Sequence, residues 1–343
     1  MSDGGQRGLI VGPSWVGDMI MAQSLFALLK RRQPGLSIDV LAPEWTLPLL
    51  ERMPQVEGYI PLALGHGQLG LKSRFELGKW LRKKSYAQAI VLPNSFKSAL
   101  IPWWARIPRR TGYRGEQRYG LLNDMRRLDT SRLPTTVQRF AALALPAHHD
   151  IDLLDCPRPS LASDADLGCR TLRRLGLDAS RPVLALCPGA EYGSAKRWPA
   201  NYFAAVARHF QQRGWQSWVF GSSRDSAAAE AVCAEAGAGC VNLAGRTSLG
   251  EAIDLMAQAG AVVSNDSGLM HMAAALDRPL VAVYGSSDPK FTPPLSSRAK
   301  VERLGLPCSP CFERECPLGH LKCLQELPPE RVIHSLERLV KAE

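Results

Sequence analysis

The sequence of 343 residues has no long apolar run. No stretch approaches the roughly 18–20 uninterrupted apolar residues that a membrane-spanning helix needs. The first residues, Met1 to Gly8, are polar and glycine-rich and lead straight into an apolar strand. They contain no apolar segment with a cleavage site, so no secretory signal is expected and the expected location is the cytoplasm. Gly12 opens a loop that lacks the Gly-Lys-Ser/Thr of a P-loop, and the G-x-G-x-x-G spacing of a dinucleotide site is missing. No helix-turn-helix, RRM or zinc-finger pattern occurs, which weighs against nucleic acid as a partner.

What is present fits a globular protein long enough for two domains: hydrophobic residues are 45% and charged residues 22%. Lys and Arg number 42 against 32 Asp and Glu, a net charge of +10. The excess lies in the N-terminal half. Lys72, Arg74, Lys79, Arg82, Lys83 and Lys84 are opposed only by Glu76, and seven arginines follow between Arg106 and Arg127. A single Lys-rich helix is commonly a solvated face. Two such segments interleaved with Trp80, Trp103, Trp104, Tyr113 and Tyr119 favour an anionic partner: nucleic acid, a phosphorylated glycolipid or an acidic membrane surface.

Short apolar strands alternate with helical segments, which predicts parallel sheets with crossover helices. Leu9–Val11, Ile38–Leu41 and Ala89–Leu92 are strands of a first half, with a helix over Asp18–Arg32. A Pro- and charge-rich stretch, Asp155–Asp166, reads as a linker. The pattern restarts with strands at Val183–Cys187, Ser217–Phe220, Cys240–Leu243, Val262–Val263 and Leu280–Tyr284, and Glu330–Val340 reads as a closing helix. The expected fold is α/β, with two doubly wound Rossmann-like parallel-sheet domains, 1–160 and 161–325, facing across a cleft, followed by a closing segment, 326–343.

The strand-to-helix turns carry the chemistry. Ala261–Val263 reads as a strand end, Ser264–Gly268 as a polar turn and Leu269–Leu276 as a helix. Such a turn places free N–H groups and a positive helix end at the mouth of a sheet, where α/β proteins bind phosphate. Asp266 is either a helix cap or a ligand group there. In the loop Gly12–Asp18, Asp18 sits at a helix start, where it either complements the dipole or serves as a general base. Lys196 and Arg197 precede a helix, where the dipole disfavours cations, so a diphosphate between them is the expectation. Gly221–Asp225 suits a ribose or base edge. Gly245–Leu249 holds Thr247 and Ser248, whose hydroxyls capping alone explains.

These residues carry a resemblance. Gly17-Asp18, Lys196 with Trp198-Pro199, and Asp266-Ser267-Gly268 with His271 resemble the marks of glycosyltransferase family 9, the ADP-heptose:lipopolysaccharide heptosyltransferases, which have the GT-B fold. The likeness runs through nearly the whole chain. The tracts Leu92–Ala99, Arg110–Gly115 and Arg118–Asp124, with the terminal cysteines, resemble the member that adds the second heptose rather than the first.

The resemblance implies an inverting transfer of heptose. The C-terminal half would bind ADP-L-glycero-D-manno-heptose through Glu191, Tyr192, Asp225, Thr247, Asp266, Ser267, Gly268 and His271. The N-terminal half would bind heptosyl-Kdo2-lipid A, with Asn94 alongside Lys72, Arg74, Lys97, Arg114 and Arg118, the five cations steering the anionic acceptor. Asp18 would be the base, and Lys196 would neutralise the leaving ADP. No cofactor and no divalent metal are implied. Trp103 and Trp104 either contact the inner leaflet of the inner membrane or fill a helix core. Alternatives are another family-9 transferase with a different acceptor, a nucleic-acid-binding protein, or a sugar-nucleotide epimerase.

Nine cysteines occur, of which Cys308, Cys311, Cys316 and Cys323 cluster around His320. Cys-x2-Cys with two further cysteines is metal-like spacing, although the later gaps are short for a zinc ribbon. A structural metal and a set of reduced thiols both remain open readings, and neither is catalytic.

Overall fold

The computed structural model describes residues 6–65 and 68–341. Met1–Gly5, most of the segment read above for a signal, therefore lie outside the described residues. The chain divides between Pro159 and Ser160 into two compact units. Among the described residues no helix is long and apolar enough to cross a membrane.

The first unit holds a six-stranded parallel sheet: β1 (Arg7–Val11), β2 (Ser37–Pro43), β3 (Gly58–Leu62), β4 (Gln88–Val91), β5 (Arg109–Tyr113) and β6 (Asp124–Arg126). The order is β3-β2-β1-β4-β5-β6, the doubly wound Rossmann order. Helices cover both faces, so the central strands read as unbroken apolar runs. Leu9, Val11, Ala89 and Val91 sit in one core with Ala99 and Ile101 of the helix Phe96–Trp104. The chain leaves β1 toward β2 and leaves β4 toward β5, so a crevice opens at the carboxyl ends of β1 and β4.

The second unit repeats the plan. Its strands are β7 (Val183–Cys187), β8 (Gln216–Val219), β9 (Cys240–Asn242), β10 (Ala261–Asn265), β11 (Leu280–Val283) and β12 (Ala299–Glu302). The order is β12-β11-β10-β7-β8-β9, again all parallel, with the reversal between β7 and β10. Leu184, Leu186, Val263, Val281, Phe203 and Trp198 fill its core, each contributing roughly 1.5–3 kcal/mol. The helix Pro329–Lys341 is part of this unit: Val332 and Leu336 are fully buried in the same core. Glu302 of β12 fixes it further, pairing with Arg331 at 2.7 Å and accepting from the Ser335 hydroxyl at 2.6 Å.

Strand β10 runs two residues further than the sequence predicts. Ser264 and Asn265 are fully buried strand residues, and only Asp266 and Ser267 form the turn. Polar side chains at a strand's buried end need partners, and both find them: Ser264 Oγ donates to the Asn265 carbonyl at 2.7 Å, and Asn265 bonds the neighbouring loop.

Candidate functional site

In the first unit, the loop after β1 leads into the helix Val16–Arg32, with Asp18 in its first turn, half-buried. The turn is tight. The Gly12 N–H donates to the Leu41 carbonyl at 2.8 Å, and a Cβ on Gly12 would lie 2.6 Å from Met19 Cε, so a larger residue there would push the Met19 side chain aside. The N-cap residue is Trp15, whose side chain makes no capping hydrogen bond. Asp18 is thus the acid in the first turn of a helix opening at the crevice.

Asn94 and Lys97 follow β4 on the other side of that crevice. Asn94 is exposed, and its Oδ1 accepts a 3.0 Å hydrogen bond from Arg118. Lys97 is half-buried, with Nζ donating to the Gln68 carbonyl at 3.3 Å. Lys72 is exposed, and Arg114 is exposed with its guanidinium 5.8 Å over the Tyr119 ring.

Two expected acceptor-steering cations are instead buried. Arg118 is 1% exposed. Its guanidinium donates to the carbonyls of Pro93 at 2.6 Å and Tyr113 at 3.1 Å, and to the Ser98 hydroxyl at 3.3 Å. Burial pulls its pKa down to about 10. Arg74 is also buried, donating to the carbonyls of Leu69 at 2.7 Å and Lys97 at 3.4 Å, and burial lowers its pKa. Both tie loops together, because a buried guanidinium must spend its donors on nearby carbonyls.

The second unit gathers the densest chemistry at its switch point. Lys196 Nζ lies 2.6 Å from Asp266 Oδ2, and both side chains are largely buried. Lys196 comes from the loop after β7 and Asp266 from the end of β10. Asn265 brings the two together: Nδ2 donates to the Pro188 carbonyl at 2.7 Å, and Oδ1 accepts from the Trp198 N–H at 3.1 Å. Trp198 anchors the loop's far end, buried and donating to the Leu327 carbonyl at 3.0 Å. Sequence reading gave Asn265 no role, although it stands beside Asp266.

Ser267 is the N-cap of the helix Gly268–Ala275, in extended conformation and without a side-chain cap. Its first-turn N–H groups are therefore not spent on a capping side chain. His271, one turn in, is 5% exposed, and burial lowers its pKa to about 4, with Asp266 opposing and Lys196 reinforcing the shift. It is neutral at pH 7. Tyr192 lies under the Lys196 ammonium, 5.0 Å from the ring centre, and its hydroxyl donates to the Phe312 carbonyl at 2.6 Å.

Other expected donor groups are engaged locally. Asp225 Oδ2 accepts from the Ser222 N–H at 2.9 Å and hydroxyl at 2.8 Å, a capping box. Glu191 is exposed and paired with Arg224. Thr247 is half-buried beside Ser248, which caps the helix Leu249–Met256 with Glu251. Arg197, expected to flank a diphosphate with Lys196, donates to the Ala190 carbonyl at 3.2 Å.

Ser286 and Ser287, after β11, were not singled out in sequence. Both hydroxyls are buried and have no hydrogen-bond partner among the described residues. The signal was there: Tyr284-Gly285-Ser286-Ser287 follows β11, repeating Phe220-Gly221-Ser222-Ser223 after β8. The nine cysteines are all free thiols, and among the described residues no group of three or more His, Cys, Asp or Glu side chains is arranged to hold a metal ion. Cys233 and Cys240 lie with their sulfurs 3.2 Å apart, a pairing the scattered spacing did not suggest.

Two doubly wound parallel-sheet units in one chain, the second with a buried Lys–Asp pair beside an uncapped helix start, fit the GT-B fold of glycosyltransferases. Residues 74–322 match glycosyltransferase family 9 (heptosyltransferase). The chain is 48% identical to lipopolysaccharide heptosyltransferase 2 of Salmonella typhimurium, covering 98% of this chain and 99% of that one. It is 47% identical to the Escherichia coli K12 protein of the same name, with the same coverage. It superposes on the structure of E. coli ADP-heptose lps heptosyltransferase II with a TM-score of 0.87 at 44% identity, covering 98% and 99% of the two chains. The chain belongs to glycosyltransferase family 9, the heptosyltransferases.

Proposed function

We propose that this enzyme transfers L-glycero-D-manno-heptose from ADP-heptose to the first heptose of heptosyl-Kdo2-lipid A during assembly of the lipopolysaccharide inner core. The single observation that carries the donor half is the buried Lys196–Asp266 pair at the β7/β10 switch point. Lys196 Nζ and the N–H groups at Ser267 and Gly268 stabilise the negative charge growing on the leaving ADP. Losing one such preorganised donor typically costs about 10²–10³ in rate. Asp266 holds the ammonium in place with Oδ2. Its Oδ1 has no hydrogen-bond partner among the described residues and is assigned to a heptose hydroxyl. Neutral His271 backs this corner without adding a second cation.

Asp18 takes the proton from the acceptor hydroxyl, a step worth about 10²–10⁴ in rate. That oxygen bonds to the anomeric carbon from the face opposite ADP, the carbon–oxygen bond to the β-phosphate breaks, and ADP leaves with the electron pair. The product is inverted at that carbon. Lys72, Lys97 and Arg114 draw in the anionic acceptor. Arg74 and Arg118 shape the loops that carry Asn94 and Lys97.

Contact with an anionic membrane face is supported by the helices Leu71–Arg82 and Phe96–Trp104. Phe75 and Trp104 meet edge to face at 5.6 Å, and Trp103 adjoins Trp104 at 6.1 Å. Phe75 is 42% and Trp103 43% exposed, with Lys79 5.4 Å over the Phe75 ring. Rings flanked by lysines suit a headgroup layer.

The acceptor assignment is tested by ADP release from ADP-heptose with either of two acceptors. Release with heptosyl-Kdo2-lipid A and not with Kdo2-lipid A is expected. The opposite preference moves the assignment to transfer of the first heptose.

A further inference from the structure

The segment between Ser309 and Arg314 folds against the Lys196 loop inside the second unit. The Ser309 hydroxyl donates to the Gly285 carbonyl at 2.6 Å, and the Phe312 N–H donates to the Ser286 carbonyl at 2.7 Å. The Ala195 N–H donates to the Arg314 carbonyl at 3.0 Å. The approach is close enough that a Cβ on Gly193 would lie 2.1 Å from the Arg314 oxygen. The Ala195–Arg314 bond thus ties Arg314 to the loop that presents Lys196, while the other two tie its segment to the turn after β11.

The Arg314 guanidinium lies 5.3 Å from the Tyr192 ring centre, and Lys196 Nζ lies 5.0 Å from the same centre. Two cations share one aromatic ring, while Asp266 alone pairs with one of them. Arg314 forms no ion pair among the described residues, and neither flanking acid, Glu313 or Glu315, takes it. Lys196 is compensated by Asp266, whereas cation–π attraction alone holds Arg314 and leaves its charge without a counter-ion among the described residues. An anion with several oxygens in reach of both cations supplies one. The turn that accepts the Phe312 N–H also carries the buried, unpartnered hydroxyls of Ser286 and Ser287.

We propose that Arg314 is a second cationic ligand of the donor's diphosphate, presented on Tyr192 beside Lys196. The idea rests on the donor assignment above. A guanidinium suits the task because its fork matches phosphate oxygens, while Lys196 acts as a point charge. Tyr192 then has two roles: its ring seats both cations, and its hydroxyl holds Phe312.

The test is titration calorimetry of the full-length protein with ADP and with adenosine, which carries no phosphate. In wild type, ADP binds more tightly than adenosine. In Arg314→Gln the ratio of the two affinities falls about 10-fold, as expected for a lost charge-assisted hydrogen bond, and Arg314→Lys recovers part of it. Thermal melting of each variant checks that the fold is kept. An unchanged ratio overturns the proposal, as does an equal loss for both ligands, which marks a purely structural arginine. Wild type that binds neither ligand overturns the donor assignment itself.

Discussion

The Asn265 side-chain oxygen accepts a 3.1 Å hydrogen bond from the Trp198 N–H, which clamps the end of one strand to the loop of its neighbour. With the second bond to the Pro188 carbonyl, one buried amide holds both flanks of the segment that carries Lys196. Asn265→Ala leaves a buried N–H and a buried carbonyl without partners, each costing about 1–3 kcal/mol. A loss of roughly 2–4 kcal/mol in urea unfolding is expected, with a higher KM for ADP-heptose. Wild-type stability would show that the amide is not holding the loop.

Arg118 and Arg114 make a paired prediction from their opposite surroundings. Arg118→Ala strands several buried carbonyls and is expected to destabilise the protein by about 3 kcal/mol or more. Arg114→Ala is expected to leave stability within about 0.5 kcal/mol and to weaken acceptor use most at low salt. Thermal melting and the salt dependence of acceptor KM separate the two.

Buried His271 predicts a pH effect with a definite sign. Its pKa falls from 6.5 to about 4 on folding. Between those values the unfolded chain binds a proton that the folded chain refuses, so stability is complete above pH 6.5 and lost as pH falls toward 4. The loss reaches about 3 kcal/mol by the usual conversion. Urea unfolding across this range, compared with His271→Gln, checks it. The variant should lack this part of the slope, and an identical slope in both proteins would contradict it.

The exposed aromatic strip on the Leu71–Arg82 and Phe96–Trp104 helices predicts vesicle binding. Phe75→Ser with Trp103→Ser should reduce co-sedimentation with phosphatidylglycerol-containing vesicles, and Lys79→Glu with Lys83→Glu should do the same in a salt-dependent way. Neither pair should alter transfer to a deacylated, water-soluble acceptor. Undiminished sedimentation of both pairs would remove the strip as the contact.

The architecture was largely legible in the sequence because central parallel strands are buried on both faces and therefore read as apolar runs between glycine-bearing turns. Val183–Cys187 matches its strand end to end. The edges were harder. Asp124–Arg126 of β6 and Ala299–Glu302 of β12 alternate polar and apolar residues, and what holds them is partly side-chain pairing to other elements, as with Asp124 and Thr111 of β5 at 2.9 Å and Glu302 and Arg331 at 2.7 Å. Ser264 and Asn265 looked like turn residues because their partners lie on another loop. Charge misled in the same way: nothing in the local sequence separates Arg118, enclosed by carbonyls, from Arg114 on the surface. Lys196 and Asp266 were legible as candidates from their turns, but their contact at 2.6 Å is set by Asn265, seventy residues of chain apart.

The central measurement is acceptor-dependent ADP release by Asp18→Ala beside wild type, with ADP binding measured on both. The predicted result is a fall of about 10²–10⁴ in kcat with ADP affinity unchanged, because Asp18 lies in the first unit and the diphosphate site is proposed in the second. A variant that releases ADP at the wild-type rate would contradict Asp18 as the base.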